Sequence, residues 1–313
     1  MKVLVTGGAG FIGSHVADAL LAAGLEVSVL DDLSSGHRAN VPAHAKFVQA
    51  DIRDGAAVAN VFETFQPEVV THQAAQTSVS VSAREPVRDA EINILGTLHI
   101  LNQCVKHKVK RIVFASTGGA IYGEVPDGER ATEQTPPNPL SPYACSKFAI
   151  EKYLNAYARE HGLPFTVLRY ANVYGPRQDP HGEAGVVAIF TQRLLAGQPI
   201  QVNARKHEGD PGCVRDYVYV ADVVRANLLA IEGKLEKSPI NVCTGVPTST
   251  LELAEQMERA AGVKAVLRYG ARREGDVERS VLNPGNPSPL GAAVPMAEGI
   301  ARTVAWFKER QAH

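Results

Sequence analysis

The sequence predicts an α/β protein in which a doubly wound parallel sheet occupies the first half and a smaller, mixed α/β lobe the second. Three observations carry this. Strand and helix patterns alternate from residue 2 to about residue 170, which requires parallel pairing through right-handed crossovers. The first strand runs straight into a glycine-rich turn and a helix. From about residue 171 the alternation loosens and long polar loops appear.

Residues 2–5 read as a buried strand. Gly7, Gly10 and Gly13 follow in G-x-x-G-x-x-G spacing, and Ile12, Val16, Leu20 and Ala23 then share one helix face. Glycines let a pyrophosphate approach the backbone, and the free N–H groups at the helix start favour its charge. Gly makes up 27 of 313 residues, so the triplet draws its meaning from the strand before it and the helix after it. Residues 26–30 form the next strand and end in Asp31-Asp32. A carboxylate there can accept hydrogen bonds from a ribose 2′- and 3′-hydroxyl and repels a 2′-phosphate. This predicts a Rossmann-type fold that takes NAD in preference to NADP.

A third strand is expected at residues 47–50, leading to Asp51-Ile52, and Val58, Val61, Phe62 and Phe65 mark a helix. Residues 68–72 form a fourth strand, residues 87–106 one long helix, and residues 111–115 a fifth strand. Ligands in such sheets bind outside the carboxyl ends of the strands, so functional residues are sought there. Just beyond the fifth strand, Ser116-Thr117-Gly118-Gly119-Ala120-Ile121-Tyr122-Gly123 reads as a polar, glycine-rich turn, followed by a Pro-rich loop over residues 126–142. Ser141-Pro142 starts a helix, with Ser as cap and Pro at the first helical position. Tyr143 and Lys147, four residues apart, then share a helix face.

Phe165–Tyr170 is a sixth strand. A long loop over residues 171–185 follows, of a kind that is usually functional. Helices are expected near 186–195, 221–231, 251–261 and 298–308, with short β segments at 200–202, 216–219, 240–242 and 265–269. The expected division is a cofactor domain over residues 1–170, its sheet completed by later segments, and a substrate lobe over residues 171–313.

A formal net charge of −1 with no basic stripe argues against nucleic acid and anionic membrane as partners. No apolar run approaches the roughly 20 residues of a membrane span, and a nucleotide turn beginning at residue 7 leaves no room for a signal peptide, which predicts a cytoplasmic protein. Cys104, Cys145, Cys213 and Cys243 are isolated, and the histidines lack metal-ligand spacing, so neither disulfide nor metal is expected.

The chemistry centres on Tyr143 and Lys147. A free tyrosine has a pKa near 10, and an ammonium one helical turn away, together with the positive nicotinamide ring, favours the phenolate. Thr117 can hydrogen-bond the same substrate oxygen and align it for proton transfer. A Y-x-x-x-K pair alone is common in helices. Here it follows a nucleotide turn, a ribose carboxylate and a hydroxyl-bearing strand end, in that order.

Thr6-Gly7-Gly8-Ala9-Gly10-Phe11-Ile12-Gly13, Ser116-Thr117 and Tyr143-Ala144-Cys145-Ser146-Lys147 together resemble the extended short-chain dehydrogenase/reductases, and within them the nucleotide-sugar 4-epimerases. The resemblance runs from Met1 to about Phe307. It implies a cofactor site of Gly7, Gly10, Phe11, Ile12, Gly13 and Asp31, with Asp51 and Ile52 at the adenine and Gln73, Ala74 and Ala75 lining the loop after the fourth strand. Asn93 belongs to that site from the following helix, and Tyr170 flanks the nicotinamide beside Tyr143 and Lys147. For the substrate it implies Thr117, Tyr143, Asn172, Arg215 in Val214-Arg215-Asp216-Tyr217, and Arg273 and Asp276 in Arg272-Arg273-Glu274-Gly275-Asp276. Guanidinium forks suit a diphosphate.

The implied reaction interconverts UDP-galactose and UDP-glucose through a 4-keto sugar. Tyr143 takes the C4 hydroxyl proton while the hydride passes to NAD, the sugar turns over, and the hydride returns to the other face. Two helices, residues 87–106 and the one bearing Tyr143, are implied to pair with their copies in a homodimer. Three departures stand out: the stretch after Thr117 is one residue longer than usual, Val202-Asn203-Ala204 replaces an aromatic before glycine, and Ser280 stands where some relatives carry a tyrosine. The last extends the expected substrates to N-acetylated UDP-hexoses. Gly118-Gly119 lacks the acid that a dehydratase or decarboxylase needs after the threonine. Another nucleotide-sugar epimerase and a 4-keto-sugar reductase of the same superfamily remain as alternatives, as does a non-catalytic NAD-sensing module, which the joint presence of Thr117, Tyr143 and Lys147 argues against.

Overall fold

The computed structural model describes residues 1–181, 185–235, 238–273, 276–286 and 288–311. They divide into two compact units. The first takes Met1–Thr117, Ser141–Arg169 and Val223–Ile240; the second takes Gly118–Leu140, Tyr170–Asp222 and the chain from Asn241. The chain therefore passes between the units several times.

In the first unit, β1 (Lys2–Thr6) is buried from Val3 onward, as an inner strand covered on both faces requires. α1 (Phe11–Ala22), β2 (Glu26–Asp31), β3 (Lys46–Gln49), α2 (Gly55–Phe65) and β4 (Val69–His72) follow. Val5 pairs in parallel register with both Val29 and Thr71. Asp54 caps α2, its carboxylate accepting from the N–H groups of Ala56 and Ala57 at 3.0 Å.

Instead of one long helix over residues 87–106, the chain forms α3 (Val79–Arg84), α4 (Pro86–Ala90), a π-helical stretch Glu91–Gly96 and α5 (Thr97–Lys106). The widened turn ends at Gly96, where an added Cβ would lie only 2.7 Å from Ile52 Cγ1. Such π turns recur at functional sites. β5 (Arg111–Thr117) runs two residues further than expected, so Thr117 closes the strand, and the expected turn after it is a short helix, α6 (Gly118–Ile121). α7 (Pro142–His161) starts as expected: Ser141 Oγ accepts from the Ala144 N–H at 3.2 Å, and Pro142 is its first residue. β6 (Phe165–Tyr170) follows. Leu4, Leu30, Phe62, Leu101, Phe114 and Ile150 lie in one fully buried cluster of this unit.

The later elements are β7 (Asn172–Tyr174), α8 (Val186–Leu195), β8 (Ile200–Asn203), β9 (Val214–Tyr219), α9 (Val220–Ile231), β10 (Ile240–Val242), β11 (Pro247–Ser249), α10 (Thr250–Ala261), β12 (Leu267–Gly270), β13 (Arg279–Ser280) and α11 (Met296–Gln311). β9 pairs with β7 and β13 in parallel and with β11 antiparallel, and β8 pairs with β12. A capping box starts α10: the Glu252 carboxylate accepts from the Ser249 N–H at 2.7 Å, and Ser249 Oγ accepts from the Glu252 N–H at 3.2 Å.

The parallel sheet has seven strands in the order β10-β6-β5-β4-β1-β2-β3. From β1 the chain adds strands outward on one side, then returns to β4 and adds them on the other. That reversal opens a crevice beyond the ends of β1 and β4, the place where such sheets bind nucleotides. Among the described residues, no helix is long and apolar enough to cross a membrane.

Candidate active site

The turn after β1 is shaped around its glycines. Gly7 has φ +67°, and a Cβ there would stand 2.6 Å from the Ala74 backbone nitrogen, so the nucleotide turn and the loop after β4 touch through a missing side chain. At Gly13 a Cβ would collide with the Gly7 carbonyl. Gly10 differs. A Cβ there meets only the Gly7 oxygen, at 3.3 Å, and otherwise faces open space. Gly10 also starts α1 without a side-chain cap, and no acidic residue sits in the first turn, where Phe11 and Ile12 are half-buried. Open space before uncapped N–H donors fits a dinucleotide pyrophosphate.

Asp31 is buried at the end of β2. Its Oδ2 accepts from the Ala9 N–H at 2.9 Å and its Oδ1 from the Leu33 N–H at 2.8 Å. Burial raises its pKa, against the pull of these bonds. It thus braces the turn. Asp32 is engaged with Ser34.

The remaining expected cofactor residues meet different fates. The Asp51 carboxylate pairs with Arg53 at 2.6 Å, which holds its pKa below the usual range. Ile52 is buried in the core against Gly96. Gln73 Nε2 donates to Thr71 Oγ1 and to Asn227 Oδ1, both at 2.9 Å, and Asn227 is fully buried. The Ala74 N–H reaches Thr6 Oγ1 at 3.3 Å, and Ala75 is half-buried. His72 lies beneath, held at 2.6 Å by Thr6 and 2.9 Å by Thr97, and burial pushes its pKa down to about 3. Asn93 sits in the π stretch with its amide taken up within the protein: Oδ1 accepts from the Gln76 N–H at 2.9 Å, and Nδ2 donates to the Gln76 carbonyl at 3.0 Å and to Asp89 at 2.9 Å. Tyr170 is buried at the end of β6.

Thr117 and Tyr143 lie near enough that the threonine hydroxyl acts on the proton equilibrium of the phenol. Lys147 is 4% exposed. Its Nζ donates to the Ala115 carbonyl at 3.0 Å and lies 4.9 Å from the Phe114 ring centroid. The electrostatics describe the pair in the chain by itself, without the nicotinamide cation that the expectation of a lowered phenol includes. Burial pushes Tyr143 up to about 12, partly opposed by the Thr117 hydroxyl and reinforced by the Asp89 charge. Burial lowers Lys147 to about 8, with Asp89 acting the other way. Desolvation dominates, so Tyr143 holds its proton in the chain by itself.

A second group beside the pair is absent from the sequence reading. Glu151 accepts from Ser116 Oγ at 2.6 Å and from Arg169 at 2.6 and 3.0 Å, all three residues being buried. The signal was available: Glu151 lies four residues after Lys147, a charge on the stripe that Ile150 and Leu154 bury. Asp89, four residues before Asn93, was legible in the same way.

In the second unit, Asn172 Nδ2 donates to the Asp216 carbonyl at 3.3 Å, and an added Cβ at Gly119 would stand 3.5 Å from that nitrogen. Arg215 is half-buried, with Nη1 on the Val214 carbonyl at 3.1 Å. Its neighbour Asp216, also missed in the sequence, is fully buried. It accepts from the Thr244 N–H and hydroxyl, the Gly245 N–H and the Leu282 N–H at 2.7 to 3.3 Å, which fixes β9 beneath Arg215. Arg273 is exposed, and the Asp276 N–H reaches its carbonyl at 3.4 Å; Glu274 and Gly275 lie outside the described residues. Ser280 is buried and donates to the Gly119 carbonyl at 2.9 Å. Among the described residues, no three His, Cys, Asp or Glu side chains gather as a metal site.

Residues 3–243 match the NAD dependent epimerase/dehydratase family. The chain belongs to that family. A UDP-glucose 4-epimerase of Thermus thermophilus, solved in complex with NAD, is 53% identical with a TM-score of 0.95, over 98% of this chain and 99% of that one. The UDP-glucose 4-epimerase of Thermotoga maritima, solved with UDP-glucose, is 45% identical with a TM-score of 0.92, over 99% and 100%. A UDP-glucose 4-epimerase of Mycolicibacterium smegmatis is 44% identical over 318 residues, covering 99% of each chain. As a member of the NAD dependent epimerase/dehydratase family, the chain carries its glycine turn, Thr117, Tyr143 and Lys147 inside the matched span. Arg273 and Asp276 fall beyond it.

Proposed function

We propose that this chain is an NAD-dependent UDP-glucose 4-epimerase, which interconverts UDP-galactose and UDP-glucose through a 4-keto sugar. The observation that carries the reading is the neighbouring Thr117 and Tyr143, with Lys147 buried one turn further along α7, in the same unit as the open glycine cradle. NAD, when bound, takes the C4 hydride and returns it to the opposite face of the sugar. Tyr143 accepts the C4 hydroxyl proton and gives it back, and Thr117 aligns the phenol for that transfer. Lys147, an ammonium below about pH 8, is the cation of this chain that favours loss of the Tyr143 proton. Gly118 and Gly119 place no acid after Thr117, so proton traffic stays at C4.

In this reading Asp31, with Asp51, Ile52, Gln73, Ala74, Ala75, Asn93 and Tyr170, serves the cofactor. Arg215 and Arg273 hold the diphosphate, with Asp276 on the ribose and Asn172 on the sugar nucleotide. Residues 1–170 then supply mainly the cofactor site and residues 171–313 mainly the nucleotide-sugar site. We also assign a homodimer and a cytoplasmic location. Support for the dimer comes from apolar side chains left in water on the two helical segments concerned: Val87 is 71% exposed, Leu95 53% and Tyr153 42%.

The test is incubation of the purified protein with UDP-galactose and no added NAD, followed by chromatography for UDP-glucose. Product supports an epimerase that keeps its cofactor. No product from protein shown to hold NAD would overturn the reading in favour of another nucleotide sugar or a 4-keto-sugar reductase. Ser280, small where a bulky residue would close the space, favours N-acetylated UDP-hexoses as additional substrates; absent turnover of UDP-N-acetylglucosamine at high enzyme would remove them.

A further inference from the structure

Asp89 is a carboxylate that neither proton transfer nor cofactor binding uses, yet it is 1% exposed at the end of α4. Its Oδ2 accepts from Ser146 Oγ at 2.6 Å. Its Oδ1 accepts from Asn93 Nδ2 and Gln76 Nε2, both at 2.9 Å. The three donors come from α7, the π stretch and the loop after β4, and all are uncharged. A carboxylate taken from water among neutral donors depends on every one of its bonds, and bonds to a charged acceptor are short and strong.

The position of those donors gives the carboxylate its meaning. Ser146 lies three residues after Tyr143 and immediately before Lys147, so a bond at Ser146 fixes the helix face that carries Tyr143. The Tyr143 N–H itself meets Ser82 Oγ at 3.2 Å, which steadies the same turn from α3. On the other side, Gln76 is gripped twice more by Asn93, through its N–H and its carbonyl. Two residues earlier in that loop, Ala74 packs directly on Gly7 of the nucleotide turn.

We propose that Asp89 is a positioning residue for the reaction, joining Ser146 of the proton-transfer helix to Gln76 and Asn93 of the loop that packs on the nucleotide turn. The inference rests on the role of Tyr143 and Lys147 proposed above. The Asp89 charge also favours the protonated forms of both groups, which helps Lys147 stay cationic against burial.

The test compares Asp89→Ala, Asp89→Asn and Ser146→Ala as NAD-loaded enzymes. A side chain displaced by about 1 Å from productive geometry costs about 100-fold in rate. Asp89→Ala is expected to lose about 100-fold in kcat and Ser146→Ala about 10-fold, each with KM for UDP-galactose within about twofold and NAD retained in full. Asp89→Asn keeps the shape and two of the acceptor bonds, and is expected to recover at least about tenfold over Asp89→Ala. Unchanged kcat in Ser146→Ala, or an Asn variant as impaired as the Ala variant, overturns the proposal. Ser146→Ala removes one hydroxyl only, so it carries the test if Asp89→Ala fails to fold.

Amide hydrogen exchange provides the arm that does not depend on activity. Loss of both Asp89 carboxylate oxygens in Asp89→Ala should speed exchange in residues 73–78 and 143–148 together while β1 stays protected. Acceleration confined to one of the two segments would show that Asp89 does not join them. If the parent enzyme proves inactive on UDP-galactose, the epimerase reading falls, and the exchange arm still decides whether the tie exists.

Discussion

Replacing Lys147 with methionine should abolish activity and, at neutral pH, make the protein more stable. Burial brings the Lys147 pKa from 10.5 down to about 8. The unfolded chain therefore holds that proton more tightly, and at about 1.4 kcal/mol per unit the charged lysine costs the fold about 3 kcal/mol. Since the folded pKa lies below the unfolded one, this cost is present in full below about pH 8. It is relieved as pH rises towards the unfolded value of 10.5. Methionine keeps the length of the stem and loses the bond to the Ala115 carbonyl, about 1 kcal/mol, and the cation's attraction to Phe114, about 0.5–1 kcal/mol. The variant should then gain about 1–2 kcal/mol at pH 7, and the gain should vanish near pH 10, where the lysine's cost has fallen to about 1 kcal/mol.

Urea denaturation of both proteins, freed of NAD, at about pH 7 and about pH 10 reads this directly. Tyr143 works in the opposite sense, because its folded pKa of about 12 lies above its ordinary 10.0, so its contribution declines above pH 10. That decline is shared by both proteins and leaves their difference intact. A methionine variant less stable than the parent at pH 7 would refute the reasoning. So would a difference that stays flat with pH, since it would mean that desolvation does not set the Lys147 pKa.

Three further outcomes follow from the geometry. Gly13→Ala drives a Cβ into the Gly7 carbonyl and should strip the protein of NAD, measured by absorbance of the released cofactor, whereas Gly24→Ala, with φ +77° and nothing within 4 Å, should cost only about 1 kcal/mol and keep NAD. Glu151→Leu removes the carboxylate of a buried ion pair and should lower stability by about 3–5 kcal/mol in a thermal or urea melt, with Glu151→Leu/Arg169→Met recovering part of the loss. Arg215→Ala should raise KM for UDP-galactose at least about tenfold while kcat changes less, and isothermal titration with UDP should show the same weakening; an unchanged KM would remove Arg215 from the diphosphate.

Where local rules act alone, the sequence was enough. Ser141 and Pro142 announce α7 because a cap oxygen and a fixed φ act within one turn, and α8 keeps its expected bounds because apolar periodicity spans it. Period fails for short elements. β7, β11 and β13 have two or three residues each, too few to alternate, and they exist because β9 offers them an edge or a register. The interruption of residues 87–106 was hidden for a related reason: a π turn needs no unusual residue, only a helix drawn toward neighbours such as Ile52 and Gln76 that the sequence does not place.

The candidate site divides along the same line. Residues that meet a ligand through a motif, Gly7, Gly10, Gly13, Thr117, Tyr143 and Lys147, are legible because chemistry fixes their type and their neighbours in the chain. Residues that act through other residues have no such spacing. Asp89 reaches Ser146 across 57 positions, Gln73 reaches Asn227 across 154, and Asp216 reaches Leu282 across 66. Each is a buried polar side chain saturated by distant donors, and a polar residue on an apolar helix or strand face is the one trace it leaves in sequence. The pKa values follow from that buried layer. Proximity of Lys147 and of a nicotinamide cation predicts a lowered phenol at Tyr143; in the chain by itself the enclosure that the fold builds around both residues raises one pKa and lowers the other, so reading the proton equilibrium of this site required knowing what encloses it.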